Sequence, residues 1–131
     1  MARKILPDTD ILVDFFRGHE KAVAFVKNNS HRIVLSSIVV AELYAGVKEG
    51  AEKSALDNFI SLFRVVPVTA EIAALGGLYK RDYGKSHGVA LADGILAATA
   101  EMENAELVTL NIKHYPMLKG ISPPYKKHRK N

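Results

Sequence analysis

Three acidic residues of this 131-residue chain stand directly after apolar runs. Asp8 follows ILP, Glu42 follows IVVA and Asp93 follows VALA. A buried carboxylate without a partner costs several kcal/mol, so acids in such surroundings are candidates for chemistry. In a helix, Glu42 would have Ile38 and Gly46 one turn away on either side, and we expect this helix face to be apolar rather than solvated.

Carboxylates that meet at one point would favour a divalent cation. Like charges within a few ångströms repel, and some would be protonated at neutral pH unless a cation were present. The chain has no Cys, so the ligands would be oxygen atoms, which suits Mg²⁺ or Mn²⁺. Such an ion can activate a water molecule and stabilise the leaving oxygen of a phosphodiester. The acids therefore predict metal-dependent phosphodiester chemistry if the fold brings them together.

The same residues also have simpler explanations. Asp8 could cap a helix that begins at Ile11, and Glu42 could lie on the polar stripe of its own helix. Thr109 could bond a water of a metal site, or it could be a strand residue with a satisfied hydroxyl. His114 could be a ligand or proton shuttle, although a lone His is more often a structural or surface residue.

The elements that would position these acids alternate between strands and helices. Short apolar runs predict strands at Lys4–Pro7, Ile33–Leu35, Arg64–Val66 and Leu107–Leu110. Longer stretches predict helices over 11–17, 20–28, 36–48, 53–63, from 70 onward and over 90–103. This alternation predicts an α/β fold with a mainly parallel sheet flanked by helices. Ligands of such sheets bind beyond the C-terminal ends of the strands, which is where Asp8 is expected.

Glycines mark two places where the helix boundaries are less certain. The pair Gly76-Gly77 falls inside the helix that Thr69 would cap, and each Gly there costs about 1 kcal/mol relative to Ala. Close packing of backbone against a neighbour would explain the pair. The segment Lys85–Gly88 is predicted to be a loop before the next helix.

The length predicts a single domain over residues 1–131. The net charge of +4 arises from a basic tail, residues 126–131, which carries Lys126, Lys127, Arg129 and Lys130. Such a tail suits nucleic acid binding, and a solvated end explains it equally well. No apolar run reaches the roughly 20 residues of a membrane span, so we expect a soluble, cytoplasmic protein.

Four segments resemble, in order, the motifs of PIN domains. They are DTDILV beginning at Asp8, SSIVVAELYAGV around Glu42, LADGILAATA around Asp93 and LVTLN ending at Asn111. The likeness covers nearly the whole chain and extends to the VapC toxins of prokaryotic toxin–antitoxin pairs. Any one of these motifs is weak, whereas four in the right order are specific.

The resemblance implies a PIN-like three-layer fold with a short sheet, and an endoribonuclease that depends on Mg²⁺ or Mn²⁺. It also implies a homodimer and inhibition by a small VapB-like antitoxin. By motif match the catalytic acids are Asp8, Glu42 and Asp93. The implied metal ligands are Asp8, Asp93, Glu42 and Asn111, with Thr9 and Thr109 in support.

Three positions depart from the PIN pattern. Asn111 stands where many members carry a fourth acid, so a second metal would be held weakly. Pro7 precedes Asp8 and lacks an N–H, so it must lie where no ladder bond is needed. Gly94 follows Asp93 where Ala is more usual, and we expect it to loosen the start of that helix.

Two other functions compete with the nuclease. Asp8-Thr9-Asp10 also fits the D-x-D of haloacid-dehalogenase-type phosphatases, but no acidic pair follows a late strand and the chain is short for that fold. A non-catalytic module that binds RNA or protein is the main alternative, because Asn111 removes one acid.

Overall fold

The computed structural model describes residues 3–127 of the chain. Its four short strands are β1 (Ile5–Pro7), β2 (Leu35–Ser36), β3 (Val65–Val66) and β4 (Glu106–Val108). Strands β1 and β4 pair in parallel, with Leu6 opposite Leu107, and β2 pairs in parallel with β3. A single parallel bridge between Ile5 and Ile33 joins the two pairs, which gives the order β4-β1-β2-β3. The predicted α/β fold with a parallel sheet is confirmed.

Six helices connect and follow these strands. They are α1 (Thr9–Phe16), α2 (Glu20–Asn29), α3 (Ser37–Ala45), α4 (Ala51–Ile60), α5 (Ala70–His87) and α6 (Leu91–Met102), with 3₁₀ turns at Ser30–Arg32 and Ile112–His114. The core contains fully buried residues from strands and helices alike, including Leu6, Leu12, Leu35, Val39 and Leu96. Within residues 3–127, no helix has the length and apolar character needed to cross a membrane.

Several helix boundaries differ from the sequence prediction, and α3 and α4 are both shorter than predicted. Two of the differences have clear physical reasons. Helix α1 begins at Thr9 rather than Ile11, because the Asp8 carboxylate accepts a hydrogen bond from the Thr9 N–H and caps the first turn. The predicted loop at Lys85–Gly88 is wrong, since α5 continues through His87. Gly88 then ends it with φ +65° and donates its N–H to the Gly84 carbonyl, as a left-handed C-terminal residue does.

Helices α5 and α6 approach each other closely through two glycines. Gly76 is buried, and a Cβ built there would lie 2.7 Å from the Ile95 Cα. A Cβ on Gly94 would overlap the Gly76 carbonyl oxygen. The bare backbone of Gly94 permits this close contact, and the expected loosening of the start of α6 stays a prediction. Close packing explains Gly76 but not Gly77, around which nothing lies within 4 Å of the Cβ position.

The last described residues are anchored to α1 by a buried carboxylate. Asp14 accepts a hydrogen bond from the Tyr125 hydroxyl at 2.8 Å and one from Lys127 Nζ at 2.8 Å. The Tyr125 ring also stacks on His19, with 5.3 Å between ring centroids. Lys127 of the predicted basic tail is thus paired with a core acid, whereas Arg129 and Lys130 fall outside the described residues.

This anchor predicts a measurable dependence of stability on pH. Burial raises the pKa of Asp14, but the hydrogen bonds from Lys127 and Tyr125 outweigh it, and the net shift is downward from 3.8. The folded state therefore binds fewer protons near pH 4, so its stability is full above that pH and is lost as the pH falls. We expect Asp14→Asn to cost about 1–3 kcal/mol at neutral pH and to flatten the acid limb in urea unfolding.

The matched control for that experiment is Asp82→Asn. Asp82 is exposed on α5, and within residues 3–127 its one partner is the neighbouring Arg81, so its replacement should leave the free energy of unfolding nearly unchanged. An Asp14→Asn protein as stable as wild type at neutral pH would contradict the anchor.

Candidate active site

Asp8 lies at the C-terminal end of β1 and is held by three donors. Its own backbone N–H donates to the Val108 carbonyl at 2.8 Å, which continues the β1–β4 ladder by one residue. Its Oδ1 accepts from the Thr9 N–H at 2.7 Å, while its Oδ2 accepts from the Thr109 hydroxyl at 2.9 Å and the Tyr115 hydroxyl at 2.8 Å. Asp8 thus caps a helix and is also buried at the strand ends, where the sequence predicted ligands to bind.

Asp93 lies close to Asp8 through a shared hydroxyl. The Tyr115 hydroxyl that donates to Asp8 is also 3.3 Å from Asp93 Oδ1. The other oxygen of Asp93 accepts from the Ala90 N–H at 2.9 Å, which fixes the first turn of α6. His114 Nδ1 is 3.7 Å from the same oxygen. The structure therefore brings two of the three predicted acids together and places His114 beside one of them.

Glu42 is connected to Asp8 indirectly, through Thr9. Its Oε1 accepts a hydrogen bond from the Thr9 hydroxyl at 2.7 Å, and Thr9 is the residue whose N–H binds Asp8. The expectation that Glu42 lies on an apolar, unsolvated face is wrong. Helix α3 turns Val39 and Leu43 to the core and leaves Glu42 exposed.

A fourth acid, Asp10, joins this group and was not singled out from the sequence. Its Oδ2 accepts from the Leu110 N–H at 2.9 Å and lies 3.4 Å from both the Thr109 hydroxyl and the Asn111 Nδ2. Asn111 is therefore beside Asp10, with no hydrogen bond to Asp8 or Asp93 among the described residues. The D-x-D spacing of Asp8 and Asp10 was the sequence signal for this fourth acid, since both residues closely follow the end of β1.

Tyr115 was also missed, and the sequence gives little sign of it. It follows the 3₁₀ turn Ile112–His114 in a stretch of the chain with no regular strand or helix. Its side chain is nevertheless 1% exposed, and only the fold shows that its hydroxyl reaches Asp8 and Asp93.

The acid cluster, defined here as Asp8, Asp10, Glu42 and Asp93, carries poorly compensated negative charge. Burial raises the pKa of Asp8 despite its hydrogen bonds, and the charge of Asp93 raises it further. Burial, followed by the charge of Asp8, raises the pKa of Asp10 to about 6. Both shifts show that the folded protein disfavours these charges, and a nearby cation would reverse that preference.

The donor set suits a hard divalent cation in its chemistry. The cluster offers carboxylate oxygens together with the carboxamide of Asn111, which are ligands for Mg²⁺ or Mn²⁺. Within residues 3–127, no three His, Cys, Asp or Glu side chains converge closely enough to surround an ion. The hydroxyls of Thr109 and Tyr115 stand between the acids instead. The cluster therefore fits such a cation in the type and the charge of its ligands.

Comparison with known proteins places this cluster within a matched region. A family model described as the PIN domain matches residues 5–116. The chain is 41% identical over 124 residues to ribonuclease VapC19 of Mycobacterium tuberculosis, with 92% of this chain and 98% of that protein covered. It is also 34% identical over 124 residues to ribonuclease VapC10 of the same species, with 92% of each chain covered.

A solved structure has the same fold. A toxin–antitoxin complex from Klebsiella pneumoniae superposes with a TM-score of 0.81 at 26% identity, covering 95% of this chain and 100% of that one. The matched region runs from β1 past Tyr115, so it includes every member of the acid cluster.

Proposed function

The chain belongs to the PIN domain family, and we propose that it is an endoribonuclease that hydrolyses RNA phosphodiester bonds with Mg²⁺ or Mn²⁺. The observation that carries this proposal is the pair of buried Asp8 and partly exposed Asp93, which meet at one hydroxyl beyond the strand ends. The names of the ribonuclease relatives support it. We further propose that it acts in the cytoplasm as the toxin of a VapBC-type module.

Each residue of the cluster has a role that follows from its contacts. Asp8 and Asp93 would hold the cation, with Glu42 and Asn111 completing its surroundings. When bound, the ion would activate water and stabilise the leaving oxygen of the phosphodiester. Exposed Glu42, oriented by the Thr9 hydroxyl, is accessible to substrate and can accept the proton of the attacking water. In-line attack then forms the bond between the water oxygen and phosphorus and breaks the P–O3′ bond. The 3′ oxygen takes a proton from solvent water, which leaves 5′-phosphate and 3′-hydroxyl ends.

Asp10 and Thr109 have a supporting role in this proposal. Asp10 ties the first turn of α1 to the backbone of Leu110, just after β4. Thr109 donates to Asp8 and accepts from the Asn111 N–H at 3.0 Å, so it links the end of β4 to Asp8 and to Asn111. Together they fix Asp8 relative to β4.

The test is cleavage of a structured RNA pool by the purified chain, stripped of any bound partner by unfolding and refolding. We expect cleavage with Mg²⁺ or Mn²⁺ and none with EDTA. RNA binding that neither needs the metal nor leads to cleavage would favour the non-catalytic module. Asn111 is the reason for considering a non-catalytic module, because it contributes no charge to the cluster.

A groove beside Glu42 suits the proposed VapB-like antitoxin. Its volume is about 560 Å³, and it is lined mainly by α1, α3 and α4, with Phe16 41% exposed at its wall. An amphipathic helix laid into this groove would cover Glu42 and block the site. We propose this arrangement because the solved relative is a toxin–antitoxin complex.

We also propose that the chain forms a homodimer, and light scattering would measure its mass in solution.

The groove can be tested by co-expression with a VapB-like protein from the same genome. We expect Phe16→Glu to weaken that complex by about tenfold or more, because an apolar anchor in a buried contact contributes at least 1.4 kcal/mol. Leu62→Glu is the matched control, since Leu62 is 75% exposed and lies outside the groove. Equal affinities of the two variants would contradict this docking site.

A further inference from the structure

Tyr115 is held in place by packing and backbone bonds that do not involve the acids. Its side chain is 1% exposed within the main core cluster. Its N–H donates to the Ile112 carbonyl at 3.0 Å, and its own carbonyl accepts from the Leu118 N–H at 3.1 Å. The hydroxyl is therefore presented to the two carboxylates at a fixed point.

That point lies between Asp8 and Asp93. The hydroxyl is 2.8 Å from Asp8 Oδ2 and 3.3 Å from Asp93 Oδ1. One hydroxyl carries one proton, so it donates to one acid at a time. Both acids nevertheless lie within hydrogen-bond distance of it. Two like charges that would otherwise move apart are thereby kept as neighbours.

The hydrogen bonds of Asp8 also restrict which of its oxygens can bind an ion. A carboxylate has about four acceptor sites, two on each oxygen. Oδ2 accepts from both Tyr115 and Thr109, whereas Oδ1 accepts from the Thr9 N–H. The site left by these three bonds is on Oδ1.

We propose that Tyr115 is a positioning residue whose hydroxyl sets the separation of Asp8 and Asp93 and leaves Asp8 Oδ1 to bind the cation. This inference rests on the proposed metal-dependent nuclease and assigns a residue outside its acids. A phenylalanine would fill the same space in the core but would remove the donor. Asp8 would then keep only its bonds from the Thr9 N–H and the Thr109 hydroxyl, and no donor would hold it beside Asp93 in the arrangement that binds an ion.

The test is Mn²⁺ binding to the full chain in the absence of RNA, measured by titration calorimetry. We expect Tyr115→Phe to weaken Mn²⁺ binding by about 10- to 100-fold, the range seen when a group that orients metal ligands is removed. Cleavage by this variant should fall at limiting Mn²⁺ and recover at excess Mn²⁺. A loss of packing would not be restored by metal.

The chain supplies a closely matched control in Tyr125→Phe. The Tyr125 hydroxyl also donates at 2.8 Å to a buried aspartate, Asp14, which is outside the acid cluster. This variant loses the same kind of bond, and its Mn²⁺ affinity should equal that of wild type.

The outcomes separate the inference from the proposed function. Mn²⁺ binding by Tyr115→Phe that is unchanged or tighter, or that is weakened equally in Tyr125→Phe, overturns the inference. A wild-type chain that binds no Mn²⁺ overturns both. Weaker Mn²⁺ binding by Tyr115→Phe supports the inference even if wild type cuts no RNA, and in that case only the nuclease proposal fails.

Discussion

Replacing Asp8 or Asp93 with Asn should reduce RNA cleavage by more than about 100-fold. Groups that merely orient metal ligands account for about 10- to 100-fold, and these acids are proposed as the ligands themselves. Asn keeps the size of the side chain but removes its charge, so the cluster attracts a cation far less. Single-turnover cleavage in Mn²⁺ is the appropriate measurement, because it reports the chemical step rather than product release.

The control for these variants is again Asp82→Asn, an exposed position on α5 that pairs with Arg81. Its rate should match wild type. Glu42→Gln should also lose most activity, although Glu42 is exposed and connected to Asp8 only through Thr9. Full activity in either Asp8→Asn or Asp93→Asn, with the fold intact, would remove that acid from the proposed site.

Gly94→Ala should destabilise the protein by about 3 kcal/mol or more, at the upper end for overpacking of a core. The new Cβ would overlap the Gly76 carbonyl oxygen, which is backbone and cannot turn aside. Helices α5 and α6 would have to separate. Because Gly94 follows Asp93 directly, the variant should also lose activity beyond what its unfolded fraction explains. Urea unfolding and cleavage of the folded fraction measure the two effects.

Gly77→Ala, one residue from Gly76, is the matched control for that clash. Nothing lies within 4 Å of its Cβ position, so the substitution adds no overlap. It should instead stabilise the chain by up to about 1 kcal/mol, because Ala is the better residue in a helix interior. If Gly94→Ala were as stable as Gly77→Ala, the close contact of α5 and α6 would be contradicted.

The parallel sheet was predictable because its signals are local. The strands lie in short, mainly apolar runs, and the long helix α5 has both a cap and a stop, Thr69 and Gly88. The error at Lys85–His87 has a physical cause. Polar residues with a following Gly are typical of a loop, yet here they form the exposed last turn of a long helix.

The acid cluster was only partly predictable. Apolar neighbours pointed to Asp8 and Asp93, which the structure brings together at the Tyr115 hydroxyl, but the same signal misplaced Glu42, whose helix exposes its acid. Tyr115 and Asp10 depend on contacts across about 100 residues of sequence, between the end of β1 and the segment after β4. Such long-range contacts leave no periodic pattern in the sequence, so the apolar runs could not have placed Tyr115, and only the D-x-D spacing pointed to Asp10.

The most direct measurement is RNA cleavage by the refolded wild-type chain in Mn²⁺, compared with wild type in EDTA and Asp93→Asn in Mn²⁺. An acid cluster that catalyses metal-dependent hydrolysis predicts cleavage in the first reaction alone, with 5′-phosphate ends. Cleavage that persists in EDTA or in Asp93→Asn would contradict it, and so would a folded wild type that binds Mn²⁺ and leaves the RNA intact.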